Sequence, residues 1–291
     1  MSGRTAIEWT DAVWNAVTGC DRVSPGCAGC YALTMARRLK AMGSAKYQTD
    51  GHPITSGPGF GIAVHEDALT EPLRWRKPRR VFVNSMSDLG HARVPRAFVA
   101  RMFAVMALAD RHTFQVLTKR PQRLAAMLAD PAFQADVHQH AAALAAARWP
   151  GHPAPPMVWP LPHVWVGTSI ESDAYCRRAD ALRRAPAALR FLSLEPLLGP
   201  LPSLDLDGIG WVIVGGESGP RHRPMDPGWA RALRDRCVDA GVPFFFKQYG
   251  GLRLQDGRRL LDGRTWDEMP ATTGAPSAFY PTTTPTPEGN P

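Results

Sequence analysis

Six short runs along the chain are almost continuously apolar: VFVNSM at 81–86, TFQVLTK at 113–119, VWVGTS at 164–169, RFLSLEP at 190–196, WVIVGGES at 211–218 and PFFFKQ at 243–248. Unbroken runs of Val, Ile, Leu and Phe mark strands buried on both faces, as in parallel sheets. Between them, VPRAFVARMFAVMALADR, PQRLAAMLADPAF, DAYCRRADALRRA and DPGWARALRDRCVDAG place apolar residues at helical spacing. Asp226 with Pro227 suits a helix start and Gly241 a helix stop. An earlier strand is predicted within IEWTDAVWNAVTG, leading through a loop into a helix at YALTMARRLKAMG. Strands alternating with helices predict βα units and a parallel sheet. The expected fold is α/β: a parallel-stranded open or complete βα (TIM-like) barrel, with a doubly wound sheet as the alternative.

Three segments break the alternation. Residues 47–65 are rich in Gly and Pro. Residues 131–162 hold an alanine-rich helix followed by PGHPAPPMVWPLP, which reads as a surface insertion. Residues 270–291 are low-complexity and predict a disordered tail. The remainder, 1–269, is expected to form one barrel-like domain with a cysteine loop at 18–31.

Each apolar run ends in polar residues. Asn84, Ser85 and Asp88 follow the first, and Thr118, Lys119 and Arg120 the second. Thr168, Ser169 and Glu171 follow the third, Ser193 and Glu195 the fourth. Gly215, Gly216, Glu217 and Ser218 close the fifth, Lys247 and Gln248 the sixth. Active sites of βα barrels lie at the C-terminal ends of the strands, and open α/β sheets follow a similar rule. A single Ser or Thr there is usually a helix cap. A carboxylate directly after an apolar run needs solvent or a partner, which singles out Glu195 and Glu217. The Gly215–Gly216 pair allows close backbone approach to a ligand. Lys119 and Arg120 could clamp a phosphate or carboxylate. Trp9 and Trp14 read as packing residues.

The 291 residues include five cysteines, and three of them, Cys20, Cys27 and Cys30, share the stretch TGCDRVSPGCAGCY. Three thiolates from one loop leave a coordination position open, unlike a closed four-ligand structural zinc site. An iron–sulfur cluster held by three cysteines has the same open position. Zinc, with His52 or His65 as a fourth ligand, and free thiols are the alternatives. Cys176 and Cys237 read as small buried hydrophobes. The N-terminus lacks the apolar core of a signal peptide and no run reaches membrane-span length. A cytoplasmic protein with no membrane association is expected, which disfavours disulfides. The net charge of +8 favours polyanions such as nucleic acid, or phosphorylated small molecules.

IEWTDAVWNAVTGC, VSPGCAGCYA, EPLRWRKPRRVFVNSMSDLG, FQVLTKRPQR, VWVGTSIES, RFLSLEPLLGP, WVIVGGESGP and VPFFFKQYG together resemble the phage Gp37/Gp68 family (DUF5131). That resemblance implies a distant relative of the radical S-adenosylmethionine enzymes. Those enzymes carry a three-cysteine loop on an open βα barrel, bind a 4Fe-4S cluster and take electrons from an external donor. Their unligated iron holds S-adenosylmethionine, which is cleaved reductively to a 5′-deoxyadenosyl radical. Cys20, Cys27 and Cys30 would hold the metal. Their C-x6-C-x2-C spacing departs from the usual C-x3-C-x2-C, and the GGE at 215–217 comes late in the chain. The expected site places Glu195, Glu217 and Lys247 in catalysis. Asn84, Asp88, Lys119, Gly215, Gly216 and Ser218 would bind cofactor. Phage occurrence and basic charge point to a nucleic-acid or nucleotide substrate. The alternatives are a zinc-stabilised nucleic-acid-binding protein without catalysis, and a metal-free barrel hydrolase using Glu195, Glu217 and Lys247.

Overall fold

The computed structural model describes residues 3–152, 156–219, 221–251 and 259–271. In chain order its strands are β1 (Gly3–Arg4), β2 (Ala12–Trp14), β3 (Val17–Thr18), β4 (Ala63–Val64), β5 (Arg80–Val83) and β6 (Thr113–Thr118). They continue with β7 (Val164–Ser169), β8 (Leu189–Leu194), β9 (Trp211–Gly215), β10 (Phe244–Gln248), β11 (Leu260–Leu261) and β12 (Arg264–Thr265). The α-helices are α1 (Tyr31–Ala41), α2 (Glu66–Leu69), α3 (Arg96–Leu108), α4 (Pro121–Ala129), α5 (Pro131–Arg148), α6 (Arg177–Arg183) and α7 (Pro227–Asp239).

The main sheet runs β1-β2-β5-β6-β7-β8-β9-β10. Its strands from β2 to β10 pair in parallel, and β1 joins antiparallel at one edge. Each parallel strand lies beside its predecessor in sequence, whereas a doubly wound sheet would reverse direction at a switch point. β1 and β10 do not pair with each other, so the sheet is an α/β half-barrel, the open form of the expected architecture.

Side chains alternate across the sheet. Val81, Val83, Phe114, Val116, Leu192, Leu194, Val212, Val214, Phe244 and Phe246 join the core cluster that also contains Phe98, Phe103, Leu124, Phe133, Leu182 and Leu233 of the helices. The intervening positions supply a second cluster on the concave side: Phe82, Trp165, Phe191, Trp211, Ile213 and Phe245, together with Trp9. Trp211 is its hub, with ring centroids 5.7 to 6.2 Å from Phe191, Trp165, Trp9 and Phe245. Gly167 makes room for it, since a Cβ there would stand 2.5 Å from the Phe191 ring.

Helix boundaries follow local chemistry. The stretch PQRLAAMLADPAF is two helices, because Asp130 leaves α4 and caps α5, accepting from the Ala132 N–H at 2.9 Å. Pro131 then suits the first helical position. The alanine-rich segment is α5, whose Phe133, Val137, Ala141 and Ala145 enter the main core. Asp226 caps α7 as expected, and Gly241 follows that helix with φ +65°. Residues 272–291 of the expected tail lie outside the described residues. Among the described residues no helix is long and apolar enough to cross a membrane.

Candidate functional site

The concave face changes character toward the C-terminal ends of the strands. Above the aromatic cluster the same alternation brings Asn84, Lys119, Ser169, Glu195, Gly215 and Lys247 to the open mouth. Lys247 Nζ donates to Glu195 Oε1 at 2.6 Å. These residues belong to strands on either side of β9. The pair passes over Gly215, where a Cβ would stand 3.3 Å from Glu195 Cδ and 3.4 Å from Lys247 Cβ. Asn84 is buried with φ +59°, a left-handed conformation Asn tolerates better than most residues. Neither atom of its side-chain amide has a hydrogen-bond partner among the described residues. Strain and an unpaired buried amide coinciding at one strand end are marks of a ligand-binding position.

The cysteine loop is seated across this mouth. Gly19 donates its N–H to Met86 O at 3.0 Å. Its φ is +90°, and a Cβ would stand 2.0 Å from Gly61 O, so only glycine allows that approach. Gly26 and Gly29 rest against two carboxylates: a Cβ would stand 3.1 Å from Glu171 Cδ at the first and 2.3 Å from Glu217 Oε1 at the second. Cys27 is buried. Cys20 and Cys30 are half-buried against Ala32, Ala36, Leu39, Tyr47, Phe60 and Met86. Burial pushes the Cys20 thiol up to about 12, with Asp88 adding to the effect and Arg120 opposing it. Burial also raises Cys30, against the Ala32 and Leu33 amides and Lys119. Among the described residues no group of three or more His, Cys, Asp or Glu side chains stands at single-ion spacing.

Several expected site residues hold the loop. Glu217 pairs with Arg223, which also donates to Pro25 O at 3.1 Å. The Arg223 hydrogen bonds hold the Glu217 carboxyl below its usual value against burial. Asp88 accepts from Gly90 N–H, Thr118 Oγ1, Lys119 N–H and Arg120 Nη1 at 2.5–3.1 Å. Lys119 Nζ stands 3.4 Å from Glu171 Oε2. The space of a side chain at Gly216 is taken by Tyr249 O, 2.2 Å from where its Cβ would be. Ser218 accepts from Gln248 Nε2. His65 Nε2 bonds the Thr18 hydroxyl at 2.8 Å, and His52 Nδ1 accepts from Ile54 N–H at 3.3 Å.

Asp21 and Arg223 carry no signal in the sequence, whereas Glu171 stands there as a strand-end polar residue and Arg120 as part of an anion clamp. Glu171 is fully buried, pairs with Arg178 at 2.9 Å and faces Lys119, Ser24 and the Gly26 amide. Burial raises its carboxyl, but those groups outweigh burial and leave it below 4.5. Asp21 ties the cysteine loop to residues 47–65 through Thr55 and Ser56, at 2.6 and 2.7 Å. The sequence carries a trace of Glu171: it lies two residues beyond Ser169, on the same face by strand periodicity. Asp21, and Arg223 in its bond to Pro25, act through partners distant in sequence and leave no such trace.

A family model described as "Protein of unknown function (DUF5131)" matches residues 4–270. The chain belongs to that family. No curated protein matches it. Two solved structures are similar at 11% identity: a mutant of spore photoproduct lyase (TM-score 0.40, covering 88% of this chain and 67% of that one) and spore photoproduct lyase complexed with dinucleoside spore photoproduct (TM-score 0.43, covering 85% and 81%).

Proposed function

We propose that this protein is a radical S-adenosylmethionine-type iron–sulfur enzyme acting on nucleic acid or nucleotides. The observation that supports this reading is one loop carrying Cys20, Cys27 and Cys30 that rests, through Gly26 and Gly29, against the strand-end carboxylates of a half-barrel. The donor set fits such a group. Three soft sulfur ligands suit iron–sulfur chemistry, strand-end cations face two of them, and the unpaired Asn84 amide lines the same mouth. Cys20, Cys27 and Cys30 would hold the cluster, which when bound supplies one electron for cleavage of S-adenosylmethionine. Asn84 would offer a donor and an acceptor to the bound cofactor. Lys119 and the Glu195–Lys247 pair would orient its charged groups and the substrate, while the aromatic cluster below excludes water. Glu217 and Arg223 would keep the loop closed on the strand ends. The positive net charge supports an anionic substrate, and an external donor would supply the electron.

Anaerobic purification with iron, sulfide and zinc analysis tests the reading, followed by low-temperature electron paramagnetic resonance with and without S-adenosylmethionine. About four irons per chain and a spectrum altered by S-adenosylmethionine are expected. C27A should lose the iron and keep its circular dichroism. One zinc and no iron would overturn the reading in favour of a structural zinc site.

A further inference from the structure

Arg120 joins three separate segments through one guanidinium. Nη1 donates to Asp88 Oδ2 at 2.8 Å and to Cys20 Sγ at 3.3 Å, and Nη2 donates to Asp21 O at 2.8 Å. The site around it is built. The Asp88 and Arg120 side chains are only 7% and 17% exposed. The turn that follows Asp88 is shaped to the arginine: a Cβ at Gly90 would stand 2.7 Å from Arg120 O and 2.9 Å from Arg120 Cβ. Asp88 is itself fixed by the Gly90 N–H, the Thr118 hydroxyl and the Lys119 N–H. The guanidinium is therefore held from behind and from the side, and its contact with Cys20 is imposed by the fold. Cys20 is also the thiol set apart by the longer of the two gaps in the cysteine loop.

We propose that Arg120 is a positioning residue for the metal centre. It fixes Cys20 Sγ toward the mouth, and its N–H···S bond and positive charge raise the reduction potential of a cluster ligated there. The inference rests on the iron–sulfur reading above. Reduction adds one electron to the cluster, with no bond made or broken, and increases the negative charge on its thiolates. A cation and hydrogen-bond donor at one thiolate favours that reduced form, since hydrogen bonds to the sulfurs are among the groups that set such potentials.

The test is a redox titration of the full-length holoprotein with dithionite, followed by electron paramagnetic resonance, on wild type, R120M and R120K. R120M should keep its iron and become about tenfold harder to reduce, a midpoint lower by about 59 mV for a one-electron couple. R120K keeps the charge but not the planar fork, so a smaller shift of the same sign is expected. If R120M loses its cluster because Asp88 is left buried without its partner, R120K decides. An iron-loaded R120M or R120K whose midpoint equals that of wild type overturns the role of Arg120 and leaves the iron–sulfur reading standing. A wild type that binds no iron overturns both.

Discussion

Trp211 and Gly215 lie on the same face of β9, four residues apart, in regions that behave differently. Around Trp211 the half-barrel is filled by aromatic rings in contact with one another, and the indole N–H is satisfied by Glu268 O at 2.9 Å. Around Gly215 the space is held by a glycine and an ion pair, and at the end of β5 the buried Asn84 amide has no partner among the described residues. The lower layer is filled by its own rings, although the Trp9 indole N–H and Gln115 Oε1 have no partner among the described residues. On the proposed reading, the upper layer would receive a group that is not part of the chain. The two layers are thus separated along the strands by about two to four residues, roughly 7 to 13 Å of strand rise.

The largest effect should come from the lower layer. Trp211→Ala removes the hub of the aromatic cluster and should cost about 3–5 kcal/mol, read as a lower urea midpoint. A loss under about 1 kcal/mol would mean that this layer is not the structural floor of the site. Next comes the boundary between the layers. Glu171→Gln leaves Arg178 buried without its counter-charge, and should cost about 3 kcal/mol at neutral pH. Its pH dependence follows from the sign of the shift. The Glu171 carboxyl sits below 4.5 in the folded protein, so its pairing stabilises the fold above that value and is lost as pH falls through the lower folded value. Urea midpoints of the wild type should therefore drop on acidification below about pH 4.5, and those of E171Q should drop less. Equal acid limbs would remove Glu171 as the cause.

Asn84→Gly should move the other way. It relieves a left-handed backbone and deletes a buried unpaired amide, so the protein should gain about 1 kcal/mol while losing affinity for S-adenosylmethionine by equilibrium dialysis. A destabilised N84G would show that the amide has a structural role. The smallest stability change is expected at Lys247→Met. Lys247 and Glu195 are both partly exposed, so breaking the pair should cost under about 1 kcal/mol. Binding of S-adenosylmethionine or substrate should weaken at least tenfold in the same variant. A variant with unchanged binding would place the pair outside the site.

Sequence periodicity located the strands well because each is buried on both faces and reads as one apolar run. The run at 113–119 is β6 at Thr113–Thr118, and the run at 164–169 is β7 with the same bounds. The first strand was harder to place. IEWTDAVWNAVTG contributes only the three residues of β2 and the two of β3, too few for a period to emerge. The polar strand ends that hold Glu195 and Lys247 were visible in the same way, as charges directly after apolar runs. Periodicity could not carry who meets whom. Asp88 read as a cofactor ligand, but its carboxylate faces four donors around β6. Glu217 meets Arg223, six positions ahead. Such pairings depend on how loops fold over the strand ends, and periodicity stops where the strands stop.

Among the described residues the two borders of the main sheet do not pair with each other. One ends at the two residues of β1, and the other is flanked by residues 266–268, where Phe246 N–H bonds Trp266 O at 2.8 Å. A closed barrel admits a guest through its rim alone, so the guest must be small or present a free end. On the proposed reading, an unpaired flank would let a long polymer lie across the sheet, with one unit lowered toward the cysteine loop and both ends running out into solvent. The middle of a nucleic-acid strand would then be as reachable as its terminus.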